Sequence, residues 1–256
     1  MTQFITLTTA VRKVSLLSKI SVVVTAYNEE GRIEDLFRLV NQLSSSIPSI
    51  DEFVIVNNGS TDSTLSEIQH WINIFPELNT RLIILEKNCG YGGGLKTGIL
   101  YSRYETVMLL PADGKYQLRD ISNIVVAYQE QDNIDIMLKG IRTRRNDPTQ
   151  IQFLSWLLTN LSNSLFKTKL SDVNGQPKIF NKELIEHRIQ ILSSNACFDA
   201  TLCALWHRLG GIFCEREVSF QQNNQPSWRG KPLKLSFRMA FDLIRFKGVL
   251  LKSGQR

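Results

Sequence analysis

Ile20 to Thr25 (ISVVVT) is a continuous β-branched apolar run, the pattern of a strand buried on both faces. From Glu30 the spacing changes, and Ile33, Leu36, Phe37, Val40 and Leu43 recur as one helical face that SSSIPS ends. The same alternation repeats down the chain. FVIVN (53–57) predicts a second strand, followed by the turn NGSTDS and by a helix from Thr64 to Phe75 carrying Leu65, Ile68, Trp71 and Ile72. RLIILE (81–86) predicts a third strand, then comes NCGYGGG and a helix from about Leu95. VMLL predicts a fourth strand ending at Pro111, Leu118 to Tyr128 a helix, and IDIMLKG (134–140) a fifth strand. Strands apolar on both faces, alternating with helices, predict an α/β fold: a mostly parallel sheet flanked by helices on both sides. In the second half, Ile151 to Phe166 and Phe198 to Leu209 read as helices. DVNGQPKIF (172–180) reads as a turn entering a short strand, and Ile212 to Phe220 as a strand.

In such folds ligands bind where the strands end, at their carboxyl edges. The chemically unusual residues fall there: Tyr27-Asn28-Glu29, Asn57 to Ser60, Gly90 to Gly94 and, in LPADGKY, Asp113. NNGSTDST also makes sense as a turn with Ser60 and Asp62 capping a helix. Asn57 and Asn58 carry amides that both donate and accept, which suits the edge of a nucleobase. CGYGGGLKTG brings backbone close to whatever lies above it, either a phosphate at a helix N-terminus or a packed neighbour. It fits neither of the named phosphate-loop patterns.

Bulk properties narrow the classes. A chain of 256 residues holds one large domain with an appendage. Its four cysteines form no C-x-x-C pair, so buried free thiols are expected rather than zinc or disulfides. No apolar stretch is long enough to predict a transmembrane helix, and the first residues do not read as a signal peptide. A cytoplasmic protein is therefore expected. The net charge of +6 favours anionic partners. The basic residues are not interleaved with a stacking platform, so no nucleic acid is expected.

SVVVTAYNEEGRI, IVNNGSTDST, NCGYGGGLKTGI and LLPADGKY, in this order, resemble the series that opens glycosyltransferase family 2 enzymes of GT-A (Rossmann-like) fold. Within that family the resemblance is to the dolichyl-phosphate or polyprenyl-phosphate mannose and glucose synthase branch. It continues through KGIRTRRND, DVNGQPKIF, NACFDATL and EVSF with QPSWRGK. It implies an N-terminal extension over 1–18, a glycosyltransferase domain over 19–231 and a separate C-terminal segment over 232–256. It also implies an inverting transfer from a nucleotide-diphosphate sugar to a membrane-linked acceptor, expected to be polyprenyl phosphate. A hydroxyl of a lipid-linked glycan or polysaccharide is the alternative acceptor, and a non-catalytic nucleotide-sugar binding protein the alternative function.

By the same resemblance, Ala26, Tyr27 and Glu29 line the base and ribose pocket, with Asn57 and Asn58 where the family has two aspartates. Ser60, Gly92 and Lys96 flank the nucleotide, and Arg229 closes over the donor phosphates. Asp113 falls on the second carboxylate of a metal motif whose first carboxylate is here Pro111 and whose later Gln is Lys115. Either Asp113 binds Mg²⁺ or Mn²⁺ largely through donor oxygens, or Lys115 partly replaces the metal. Arg142, Asp172 and Lys178 match acceptor-side positions, although a second arginine expected after Arg142 is Gln150 or Gln152 here. Asp199 falls where a general base for a hydroxyl acceptor would sit, and equally suits the first turn of a helix.

The C-terminal segment KPLKLSFRMAFDLIRFKGVLLKSGQR carries a basic stripe beside a broad apolar surface. An amphipathic helix is predicted, placed at an anionic membrane surface on the inner face of the cell membrane, or packed on the domain or on a membrane subunit.

Overall fold

The computed structural model describes residues 18–112, 116–143, 148–219 and 232–253. Seven strands form one sheet: β1 (Ile20–Ala26), β2 (Ile50–Asn58), β3 (Thr80–Leu85), β4 (Thr106–Leu109), β5 (Ile136–Thr143), β6 (Lys178–Asn181) and β7 (Ile212–Ser219). The helices are α1 (Ile33–Ser46), α2 (Thr64–Ile74), α3 (Tyr91–Tyr101), α4 (Leu118–Gln129), α5 (Thr149–Phe166), the short α6 (Glu183–Glu186), α7 (Phe198–Arg208) and α8 (Pro232–Ser253).

The sheet has two cores because its central strands are apolar on both faces. Val22, Val24 and Ala26 of β1 pack with α1, α2 and α4, through Leu36, Phe37, Ile68 and Ile124 among others. Val23, next along the same strand, points to the opposite layer and its core of α3, α5, α7 and α8. The expectation of a two-sided sheet holds for β1, β2 and β4. It fails for the third strand: β3 is an edge paired with β2 alone, and Ile84 is about half exposed.

The strand order is β3-β2-β1-β4-β6-β5-β7. Pairing is parallel except at β6, which runs antiparallel between β4 and β5. The pattern did not foresee this inversion, since four residues carry no directional signal. Its consequence is functional. The amino end of β6 lies at the carboxyl ends of its neighbours, so Lys178 is in register with Leu109 on one side and Lys139 on the other. The order of strands along the sheet reverses between the parallel neighbours β1 and β4, and in such sheets the ligand crevice lies above the carboxyl ends at that point.

The helix expected from about Leu95 begins four residues earlier, at Tyr91, and takes Gly92, Gly93 and Gly94 into its first turns. The last helix, α8, packs Met239, Leu243, Phe246 and Leu250 into the second core, with Phe246 edge-on to Phe166 of α5. No helix of the described residues is long and apolar enough to cross a membrane.

Candidate active site

Two loops at the carboxyl ends of β1 and β2 are stitched together by side chains. Asn28 adopts a left-handed conformation (φ 55°), which asparagine tolerates better than most residues. Its Oδ1 accepts from Thr61 N at 2.9 Å, its Nδ2 donates to Thr61 Oγ1 at 3.2 Å, and its own N–H donates to Ser60 Oγ at 3.2 Å. Glu29 N donates to Thr64 Oγ1 at 2.8 Å, and the Glu29 carboxylate pairs with Arg32 at 2.6 Å. Asp62 takes bonds from the Thr64 backbone and hydroxyl and from Glu30 N. Burial opposes its charge, but these donors outweigh it and hold the Asp62 carboxyl below its ordinary range. Tyr27, expected at the base pocket, projects from this turn with its ring substantially exposed.

Asn57 and Asn58 divide the work expected of them. Asn58 Nδ2 donates to Gly90 O at 3.0 Å and to Asn88 Oδ1 at 3.3 Å, while its Oδ1 accepts from Cys89 N at 3.0 Å. Its amide is committed to holding the loop before α3. Asn57 differs: its side chain is buried and its Oδ1 has no partner among the described residues. A buried acceptor left unpaired costs stability, so an unpaired one at a strand end is a candidate contact for a ligand donor. Ala26, in register with Asn57, is fully buried and supplies wall rather than contact.

The glycines are packing residues. A Cβ at Gly94 would stand 2.0 Å from Thr25 Oγ1, one at Gly98 2.4 Å from Val23 Cγ1, and one at Gly92 2.2 Å from Ser193 O. They let α3 lie directly on β1 and on the 193–198 turn. Of the two readings of this stretch, the packed neighbour is the one the structure displays, and Gly92 faces protein. Lys96, expected to flank the nucleotide, is tied to protein groups. Its ammonium donates to Leu192 O at 3.0 Å and Ser194 Oγ at 2.9 Å, tying α3 to the turn before α7. Burial holds its pKa below the ordinary lysine value.

Across the crevice, charge replaces amides. Arg142, at the end of β5, makes a fork with Asp172: Nε to Oδ2 at 2.7 Å and Nη2 to Oδ1 at 2.8 Å. Nη2 also reaches Ser155 Oγ of α5 at 3.3 Å. The Asp172 turn is held from beneath by Lys139, which is fully buried and bonds Asp172 O, Gly140 O at 3.2 Å and Glu215 Oε1 at 3.1 Å. Glu215 in turn accepts from Ser171 N at 2.9 Å. Beside Lys139 on β6, fully buried Lys178 donates to Gly175 O at 2.8 Å and to Asp199 Oδ1 at 2.6 Å. Gln176 Nε2 donates to the same Asp199 oxygen at 2.8 Å. Burial, and then the neighbouring Lys178 charge, hold the Lys139 pKa below its ordinary value. Burial, and then the charge of Asp199, push the Tyr91 hydroxyl well above its own.

Arg142, Asp172, Lys178 and Asp199 therefore belong to one connected network on β5, β6, β7, α7 and the 171–177 turn. Lys139, Glu215, Gln176 and Tyr91 belong to it too and were not singled out in the sequence. Lys139 had a signal, a lysine inside an apolar strand. Glu215 had none. Asp199 does lie in the first turn of α7.

Asp113, Lys115 and Arg229 lie outside the described residues. Pro111 brings no ligand atom in its side chain. Among the described residues no three His, Cys, Asp or Glu side chains come together as a metal cluster. The described residues thus do not form a divalent-metal site by themselves.

Residues 21–189, more than half of the chain, match the family described as Glycosyl transferase family 2. The chain is 26% identical to a dolichyl-phosphate beta-glucosyltransferase of Dictyostelium discoideum, over 89% of this chain and 73% of that protein. It is also 26% identical to a dodecaprenyl-phosphate galacturonate synthase of Rhizobium johnstonii, over 66% of this chain and 49% of that one. Its fold matches glucosyl-3-phosphoglycerate synthase of Mycobacterium tuberculosis, solved with Mn²⁺, uridine diphosphate and phosphoglyceric acid. The TM-score is 0.65 at 18% identity, covering 90% of this chain and 77% of that one. The same synthase solved with Mg²⁺ and uridine diphosphate gives 0.65.

Proposed function

The chain belongs to glycosyl transferase family 2 and is a glycosyltransferase of GT-A-like fold; on that premise we propose that it moves a sugar from a nucleotide-diphosphate donor to polyprenyl phosphate, with inversion at the anomeric carbon. The Arg142–Asp172 fork carries this reading. Asp172 fixes one edge of the Arg142 guanidinium at the end of β5 through two parallel bonds, and in this reading its other edge meets the acceptor phosphate. The names of the relatives, which act on dolichyl and dodecaprenyl phosphates, support the acceptor class.

In this mechanism an oxygen of the acceptor phosphate attacks the anomeric carbon. The bond from that carbon to the donor diphosphate breaks, and nucleoside diphosphate leaves with the electron pair. A phosphate oxygen is already anionic, so no proton has to be removed; alignment and charge screening are what the protein supplies. Arg142 orients the acceptor phosphate, and Asn57 Oδ1 accepts from a donor N–H of the nucleobase. Asp199 holds the floor through Lys178 and Gln176. That commitment disfavours Asp199 as the base a hydroxyl acceptor would require.

Donor charge would be balanced either by Mg²⁺ or Mn²⁺, which Asp113 would help to hold, or in part by Lys115. The solved neighbours that hold these ions with uridine diphosphate support the first. Titrating donor calorimetrically with and without EDTA decides: unchanged affinity in EDTA overturns the metal. The C-terminal helix is proposed to lie on the inner face of the cell membrane, close to a lipid-linked acceptor. A thermal-shift screen of nucleotide-sugars tests the donor reading, since a ligand that binds the folded state raises its melting temperature. A shift with a nucleotide-sugar is expected, and none across the common bases would overturn the reading.

A further inference from the structure

Among the described residues, the buried side-chain oxygens left without a hydrogen-bond partner fall at the two ends of the sheet. Ser49, Thr80 and Tyr128 lie by the amino ends, beside the starts of β2, β3 and β4. Thr25, Asn57, Asn174 and Gln176 lie by the carboxyl ends, because the turn that carries the last two leads into the antiparallel β6. Gln176 is the most constrained of this second group. It is 4% exposed, and its Nε2 donates to Asp199 Oδ1 at 2.8 Å and reaches the Tyr91 hydroxyl at 3.4 Å. A carboxylate only accepts, so Asp199 decides which end of the amide is which: the nitrogen faces α7 and the oxygen points away from it. Asp199 is in turn held by Lys178 at 2.6 Å. The oxygen left over, Oε1, is a fixed acceptor that lacks a donor.

Its surroundings say what could supply one. The same turn carries Asp172, which holds Arg142. Tyr91, on the other side, opens α3 and is coupled electrostatically to Tyr116, which follows the Asp113–Lys115 stretch. Gln176 therefore stands between the acceptor side and the segment bearing Asp113. An ionised phosphate offers acceptors and no donors, so neither donor diphosphate nor acceptor phosphate can satisfy this oxygen. A sugar hydroxyl can. We propose that Gln176 Oε1 accepts a hydrogen bond from one hydroxyl of the transferred sugar, which makes Gln176 a residue that sets sugar specificity and Asp199 the group that positions it. The inference rests on the nucleotide-sugar donor proposed above and adds which residue reads its sugar.

Donors carrying glucose, mannose or galactose on uridine or guanosine diphosphate are titrated calorimetrically into the full-length protein. The tightest is then compared with its nucleoside diphosphate and with its forms lacking one sugar hydroxyl each. In wild type, one of these deoxy forms should bind about tenfold more weakly than the full sugar, the loss of one hydrogen bond at a buried group. In Gln176→Met the full sugar should fall to the level of that deoxy form, so that the two no longer differ, while the nucleoside diphosphate binds as in wild type. Gln176→Asn, which keeps the amide and draws it back, should lose the same discrimination. The proposal is overturned by a Gln176 variant that still tells the two sugars apart, or by one that weakens the nucleoside diphosphate as much as the nucleotide-sugar. Wild type that binds every deoxy form as tightly as the full sugar overturns it without any variant, and leaves the donor reading intact. Wild type that binds neither nucleotide-sugar nor nucleoside diphosphate breaks the donor reading and this inference with it.

Discussion

The two sides of the crevice are built from different materials. On the β1–β2–α3 side, neutral groups do the holding: the amides of Asn28 and Asn58, the hydroxyls of Thr61 and Thr64, and glycines that let α3 lie on β1. On the β5–β6–β7 side, buried ions do it, with Lys139 and Lys178 side by side against Glu215 and Asp199, and Arg142 against Asp172. A surface for a nucleoside needs shape and a few amide contacts, which tolerate burial cheaply. A surface for a phosphate needs cations, and cations under a sheet need fixed carboxylates or they do not stay charged. The contrast divides the charges of the second half into Arg142, proposed to face the acceptor, and those that hold its turn in place.

The comparison breaks most visibly at Lys178. Lys178→Met leaves Asp199 buried without its cation and should destabilise the fold by about 3–5 kcal/mol, read from urea denaturation. Pairing it with Asp199→Leu should restore much of that loss, because the cost is an unpaired charge. For the same reason loss of activity in Asp199→Asn alone does not identify a general base. Next comes Arg142→Lys, which keeps the charge and loses the fork. The acceptor KM should rise about 10- to 100-fold with the donor KM unchanged, the range expected for charge-assisted hydrogen bonds.

On the neutral side, Gly94→Ala drives a methyl into Thr25 and should cost about 1–3 kcal/mol, partly recovered with Thr25→Ala. Asn57→Ala sharpens the contrast in the other direction. Since Asn57 Oδ1 has no partner among the described residues, donor affinity should fall about tenfold, at the weaker end of a hydrogen bond to a buried group, while the melting temperature barely moves. The smallest effect is at Asp62. Its carboxyl is held below the ordinary value of 3.8, so its contribution is present above that value and is lost as pH falls through the lower folded value. Urea midpoints followed down through this window should converge for wild type and Asp62→Asn.

Strand and helix order through β5 was legible because each element carries its own period. The start of α3 was not, since glycine argues against a helix locally and only the closeness of Thr25 and Val23 explains it there. The antiparallel β6 was not, because direction is set by where the chain must return. Of the site, Arg142, Asp172 and Lys178 were read together as acceptor-side positions and Asp199 apart from them, and the structure joins all four in one network. Their division of labour was not legible: nothing in the local sequence says that Lys178 and Asp199 face each other in the interior while Arg142 stands at the rim. Lys96 and Asn58 were read as ligand contacts because polar residues at strand ends and helix starts look alike whether they meet a ligand or a neighbouring loop.

The acceptor class is tested most directly by following labelled sugar from a nucleotide-sugar donor into polyprenyl phosphate and, in parallel, into the matching polyprenol, for wild type and Arg142→Lys. The account predicts product with the phosphate, none with the alcohol, and a loss in Arg142→Lys that high acceptor concentration relieves. Transfer to the alcohol, or transfer to the phosphate that is indifferent to Arg142, would contradict it.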